Sequence, residues 1–95
     1  MRLNRNFAPA YDSLAMLYAR QNRHLAEAQT LSERAVELEP ESLNFRLNGA
    51  EVLAQERKFD DALEELKAAG RLAKTPVEAA AVERRMKRIE QYQAR

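Results

Sequence analysis

Ninety-five residues with 16 Lys and Arg against 15 Asp and Glu, two Gly, three Pro and no Cys bound the chain to one small domain. A net charge of +1 argues against a protein built chiefly to hold polyanions, and without cysteine there is no disulfide framework, thiolate nucleophile or cysteine-based metal site. The abundance of Ala, Leu, Glu and Arg favours helix over strand, and no apolar run approaches the roughly 20 residues that cross a bilayer.

Residues 1–7 read as the tail of a preceding repeat, or else as an ordinary frayed N-terminus, and they lack the apolar stretch of a signal peptide. A first helix is expected from Ala8 to Asn22. Pro9 fits only a first helical turn, and Tyr11, Leu14, Ala15 and Tyr18 share one face. Asn22 suits the left-handed conformation that ends a helix where glycine is missing.

A second helix runs from Leu25 to Leu38 with Leu25, Ala28, Leu31, Ala35 and Leu38 as its apolar stripe, and Pro40 stops it. Ser42 is a candidate cap for a third helix to about Glu56, which turns Phe45, Ala50, Leu53 and Ala54 inward. A fourth, to about Ala73, buries Phe59, Ala62, Leu66, Ala69 and Leu72, and Asp60 and Asp61 lie at its positive end. Gly49 and Gly70 fall inside these helices, where each costs about 1 kcal/mol unless a neighbour approaches closely. Thr75-Pro76-Val77-Glu78 starts a fifth helix with a capping box, continuing to about Tyr92 on a narrow stripe of Ala79, Val82, Met86 and Ile89.

The second and fourth helices repeat each other. Leu25 maps onto Phe59, Glu27 onto Asp61, Ala28 onto Ala62, Ala35 onto Ala69 and Leu38 onto Leu72, each at a separation of 34 residues. A period of that length marks stacked helix-turn-helix units.

Chemistry has little to build on. His24 is the only histidine and sits in a loop beside Arg23, so a metal site or a serine-histidine arrangement has no second histidine. Ser13, Ser32 and Ser42 fall on three elements. Asp60-Asp61 and Glu64-Glu65 are acid pairs on amphipathic surface helices, without the desolvated cleft that acid-base work needs. No metal, cofactor or small-molecule substrate is expected. The run Glu83 to Arg88 is the one candidate for nucleic acid, and residues 75–95 carry five basic against three acidic residues. Only Tyr92 lies near enough to stack on a base, so a charged outer face is the better reading.

At the level of motif the chain resembles the tetratricopeptide repeat. Tyr11-x2-Leu14-Ala15-x2-Tyr18 matches the first half of the signature with Tyr for Trp and Ala for Gly, and Ala28, Ala35 and Pro40 match the second half. Ser32 stands where the family has a large apolar residue, and the loop QNRHL is one residue longer. In the second unit Phe59, Ala62, Leu66 and Ala69 fit well, while Arg46 replaces the Trp, Gly49 the Leu and Lys74 the Pro.

The resemblance implies an all-α right-handed superhelix of antiparallel helix pairs, with repeats over residues 8–42 and 43–74 and a closing helix over 75–95. It also implies a concave groove, lined by the first helix of each pair, that holds a peptide or partner helix. Carried over by position, the groove residues are Asp12, Met16, Ala19 and Arg20, then Asn44, Leu47, Glu51 and Gln55, then Glu78, Ala81, Arg85 and Arg88. Leu47 and Met16 would be the apolar contacts.

The clamp that some family members use for a chaperone's terminal carboxylate fits only at Asn48. Asp12 and Met16 replace a Lys and an Asn, and Glu78 and Val82 replace two later cations. An acid in place of a Lys would repel a carboxylate. The alternative roles are a spacer or self-association unit in a larger protein and, less favoured, nucleic-acid binding through the last helix.

Overall fold

Five α-helices run in chain order through the computed structural model, which describes residues 7–94. They are α1 (Ala8–Arg20), α2 (Leu25–Leu38), α3 (Leu43–Gln55), α4 (Phe59–Leu72) and α5 (Pro76–Gln93). No strand occurs among the described residues. Of the tail read in residues 1–7, all but Phe7 lies outside them.

The repeat is carried by the helix bounds themselves. The bounds of α1 reappear in α3 shifted by 35 residues, and those of α2 reappear in α4 shifted by 34. The difference of one residue is the longer first loop, and His24 absorbs it with a left-handed φ of 51°.

Both first helices end alike. The Arg23 amide donates to the Tyr18 carbonyl at 3.1 Å and that of Asn22 to Ala19 at 3.0 Å; Lys58 donates to Leu53 and Arg57 to Ala54, both at 2.9 Å. This paired closure needs one left-handed residue, and Asn22 (φ 51°) and Arg57 (φ 63°) supply it. An arginine there is unusual. Its guanidinium lies over the Phe59 ring, 5.4 Å from the centroid.

The starts of α3 and α5 are capped as their sequences suggest. The Phe45 amide donates to Ser42 Oγ at 3.2 Å, and the Glu78 amide to Thr75 Oγ1 at 3.1 Å. Glu78 reaches one residue further back than a simple capping box requires and accepts from the Lys74 amide at 2.8 Å.

Successive helices pack in order, and α1 also touches α3. Two buried clusters result. One, between the pairs, joins Ala15 and Ala19 of α1, Ala28 of α2 and Val52 of α3; the other joins Leu47 and Ala50 of α3, Ala62, Leu66 and Ala69 of α4, and Val82 and Ile89 of α5. Small residues at the crossings let backbones approach, which is why Ala28, Ala35, Ala62 and Ala69 are fully buried.

Two departures from the repeat pattern answer one another. Ser32, 4% exposed, lies across from Gly49, where an added Cβ would come within 2.9 Å of the Ser32 hydroxyl. A small residue on α2 thus meets a small residue on α3. Gly70 has no such constraint: a Cβ there would sit 3.8 Å from Val82 Cγ1, an ordinary contact. Gly70→Ala should therefore stabilise by about 0.5 to 1 kcal/mol through helix propensity. A thermal melt reads the gain, and a lowered midpoint would place α5 closer to α4 than it lies here.

Two stripe assignments need correction. Ala79 was expected to face inward and is exposed, because α5 leans on α4 through Val82, Met86 and Ile89. Val52, absent from the expected core, is fully buried against α1 and α2.

Candidate functional site

The register of the first helices decides which side chains meet. Met16 and Arg20 lie four residues apart on α1, as do Glu51 and Gln55 on α3, and Arg85 and Arg88 lie three apart on α5; each pair shares a helix face. These six line one hollow of about 250 Å³, with Ala19 and Asn48 beside them. It adjoins a cleft of about 400 Å³ between α3 and α5, since Glu51, Gln55, Arg85 and Arg88 line both. The cleft exists because α5 packs on α4 while standing off from α3.

The cleft has an apolar floor of Leu47, Ala50, Ala54, Leu66 and Ile89. Phe59 and Tyr92 form a wall, their rings nearly parallel (13°) with centroids 6.4 Å apart, and Arg57 and Asn22 complete the rim. A second tie holds the end of α5: Gln93 Nε2 donates to Asp60 Oδ1 at 2.7 Å.

The remaining expected groove residues sit differently. Leu47 is only 7% exposed and belongs to the core that it shares with Leu66 and Ile89, so it supplies floor instead of a protruding contact. Asn44 is exposed on α3 and lines neither hollow. Glu78 is occupied by the Lys74 amide.

Asp12 spans the repeat boundary. Asn48 Nδ2 donates to both its oxygens, at 3.1 and 2.9 Å, tying α1 to α3. Burial raises the Asp12 pKa above its ordinary 3.8, against the lowering effect of the Asn48 hydrogen bond. A folded-state value above the unfolded one means that the ionised carboxylate weakens the fold at neutral pH. That penalty disappears as pH falls through the raised value towards 3.8.

Asp12→Asn keeps an acceptor for Asn48 and removes the charge. The variant should melt at or above the parent at pH 7, and the gap should close by about pH 4. A gap unchanged across that range would mean that the carboxylate's burial is not its source.

Charge in the groove is one-sided. Arg20, Arg85 and Arg88 have no ion pair or side-chain hydrogen bond among the described residues, and Glu51 is the one acid lining either hollow. The groove residues expected from the sequence do not include Arg57, Phe59 and Tyr92. No helical periodicity places the loop residue Arg57, and the aromatic contact depends on where α5 docks.

A third hollow, about 510 Å³, opens between α2, α3 and α4 where Ser32 and Gly49 leave room. Its rim has the opposite sign, with Glu33, Glu37, Asp61, Glu64 and Glu65. Arg34, Lys67 and Arg46 pair with Glu37, Glu64 and Glu65 at 3.3, 3.5 and 3.1 Å.

His24 is exposed, with its ring centroid 5.0 Å from that of Tyr18 and Nδ1 3.7 Å from Glu27. Among the described residues no cluster of His, Asp or Glu is placed to hold a metal, and no helix is long and apolar enough to cross a membrane. Comparison with protein-family models, curated proteins and solved structures finds no match to this chain.

Proposed function

We propose that the chain is a non-catalytic interaction module of two tetratricopeptide-like helix pairs and a closing helix, which holds a peptide or partner helix across α1, α3 and α5. The observation that carries this reading is the convergence of Met16, Arg20, Glu51, Gln55, Arg85 and Arg88, from three helices, on one hollow that adjoins an apolar-floored cleft. A groove with an apolar floor and polar rim takes a helix or extended segment through a few anchors.

Selection of binding peptides from a random displayed library, followed by amide chemical-shift mapping, tests the reading. Shifts should concentrate at these six residues and the cleft. Shifts confined to α2 or the outer side of α4 would refute the groove assignment.

A second reading, assembly, rests on Leu17. At the 35-residue shift Leu17 occupies in α1 the place of Val52 in α3; Val52 is fully buried by the preceding pair, whereas Leu17 is 41% exposed. Phe7, at the start of α1, is 54% exposed. An apolar position of this kind accepts another helical pair or a second copy. Sedimentation equilibrium over a wide concentration range separates the two readings, because a monomer throughout leaves the groove as the working surface.

A further inference from the structure

We infer, resting on the groove reading, that the partner is an acidic protein segment: a large apolar side chain seats in the α3–α5 cleft while flanking carboxylates meet Arg85, Arg88 and Arg20. Leu47, Ala54 and Ile89 make the cleft floor apolar, with Phe59 and Tyr92 as its wall, and the opening of about 400 Å³ accommodates a leucine- or phenylalanine-sized anchor. Around that anchor the balance of charge is lopsided. Arg57, Arg85 and Arg88 rim the cleft, Arg20 lines the adjoining hollow, and Glu51 is the only acid in either.

Any segment lying along the groove strips water from these guanidinium groups. Arg20, Arg85 and Arg88 form no ion pair among the described residues, and the single carboxylate beside the three of them is that of Glu51. A basic partner would repel them and a neutral one would offer only uncharged carbonyl and hydroxyl acceptors, whereas carboxylates supply charge-assisted, forked hydrogen bonds that offset the lost water. The spacing of Arg85 and Arg88, one turn apart on α5, matches acids on a single turn or on alternate residues of an extended strand.

The same cations could attract a nucleic acid, but two observations favour protein. Glu51 sits among them: a phosphate backbone carries an anion at every nucleotide and meets it wherever it lies, whereas a peptide can set a neutral residue opposite it and keep its carboxylates for the arginines. The Phe59 ring already engages both the Arg57 guanidinium at 5.4 Å and the Tyr92 ring at 6.4 Å, which leaves little of it for a base.

The test uses the full chain and the random displayed library. Enriched peptides should combine Asp or Glu with one or two large apolar residues. Such peptides should bind the Arg85→Glu/Arg88→Glu variant about tenfold more weakly or worse, because each reversal replaces attraction by repulsion. Lysine-for-acid versions of the peptides should regain affinity on that variant. Circular dichroism melts check that it folds, and Arg85→Gln/Arg88→Gln serves as the milder pair if it does not.

Enriched peptides of neutral or basic composition that still shift groove amides would overturn the charge inference and leave the groove reading standing. If no selected peptide shifts groove amides, both fall. Displacement of a bound acidic peptide by single-stranded oligouridylate, with affinity falling steeply in salt, would overturn the assignment in favour of nucleic acid.

Discussion

Leu66→Ala should cost about 3 kcal/mol and lower the melting midpoint by roughly 12 to 24 °C, the largest loss expected from any single truncation in the chain. Leu66 is fully buried and the central member of its cluster, with Leu47 and Ala50 on one side, Ala62 and Ala69 along its own helix, and Val82 and Ile89 on the other. Removing its isobutyl group leaves a void whose walls are three helices held by other contacts, so collapse can fill it only partly.

A chain of this size has about 5 to 14 kcal/mol of stability in total, and the loss consumes a large share of it. Leu17→Ala provides the comparison, since Leu17 is 41% exposed and its truncation should cost under about 1 kcal/mol. Chemical denaturation of both variants gives the answer. Equal losses would mean that α5 does not close over α4 as described.

How legible this fold is in the sequence depends on how local each determinant is. Caps, stops and stripes are local. Ser42 and Thr75 cap the helices they precede, Asn22 takes the left-handed position that closes α1, and the bounds of α2 follow its apolar stripe from Leu25 to Leu38. Val52 is not local. It belongs to the side of α3 that faces the other pair, and its equivalent Leu17 is 41% exposed, so equal positions in the repeat do not mean equal burial. Arg57 escapes for another reason: nothing in its residue type announces φ 63°, which the closure of α3 imposes.

For the candidate groove the division is similar. Side chains three or four apart on one helix must share a face, which brings Met16 to Arg20, Glu51 to Gln55 and Arg85 to Arg88 before any packing is known. The tilt of α5 is a tertiary matter. It is set by Val82, Met86 and Ile89 against α4 and by Gln93 on Asp60, and it opens the cleft, puts Tyr92 on Phe59 and makes Leu47 a floor residue. Ser32 and Gly49 show the same limit from the other side. Each looks like a lapse in the repeat when taken alone, and only their contact across α2 and α3 accounts for both.

Ala28→Leu should be nearly as damaging as the loss of Leu66, for the opposite reason. Ala28 is fully buried where α2 meets both of its neighbours, against Ala15 and Ala19 of α1 and Val52 of α3. Three added carbons have no empty volume to enter, so α1 or α3 must move outward; overpacking of this kind costs about 1 to 3 kcal/mol, and the upper end applies where two interfaces open together. The remedy distinguishes overpacking from general disruption. Val52→Ala alone removes two methyl groups from the same cluster and should itself destabilise, yet combined with Ala28→Leu it restores volume, so the double variant should be more stable than the sum of the single losses by about 1 kcal/mol or more. Ala80→Leu, on the exposed side of α5, should leave stability within about 0.5 kcal/mol of the parent. Strict additivity of the Ala28 and Val52 changes would mean that the two residues do not share a cluster, and the packing of the second helix pair on the first would have to be redrawn.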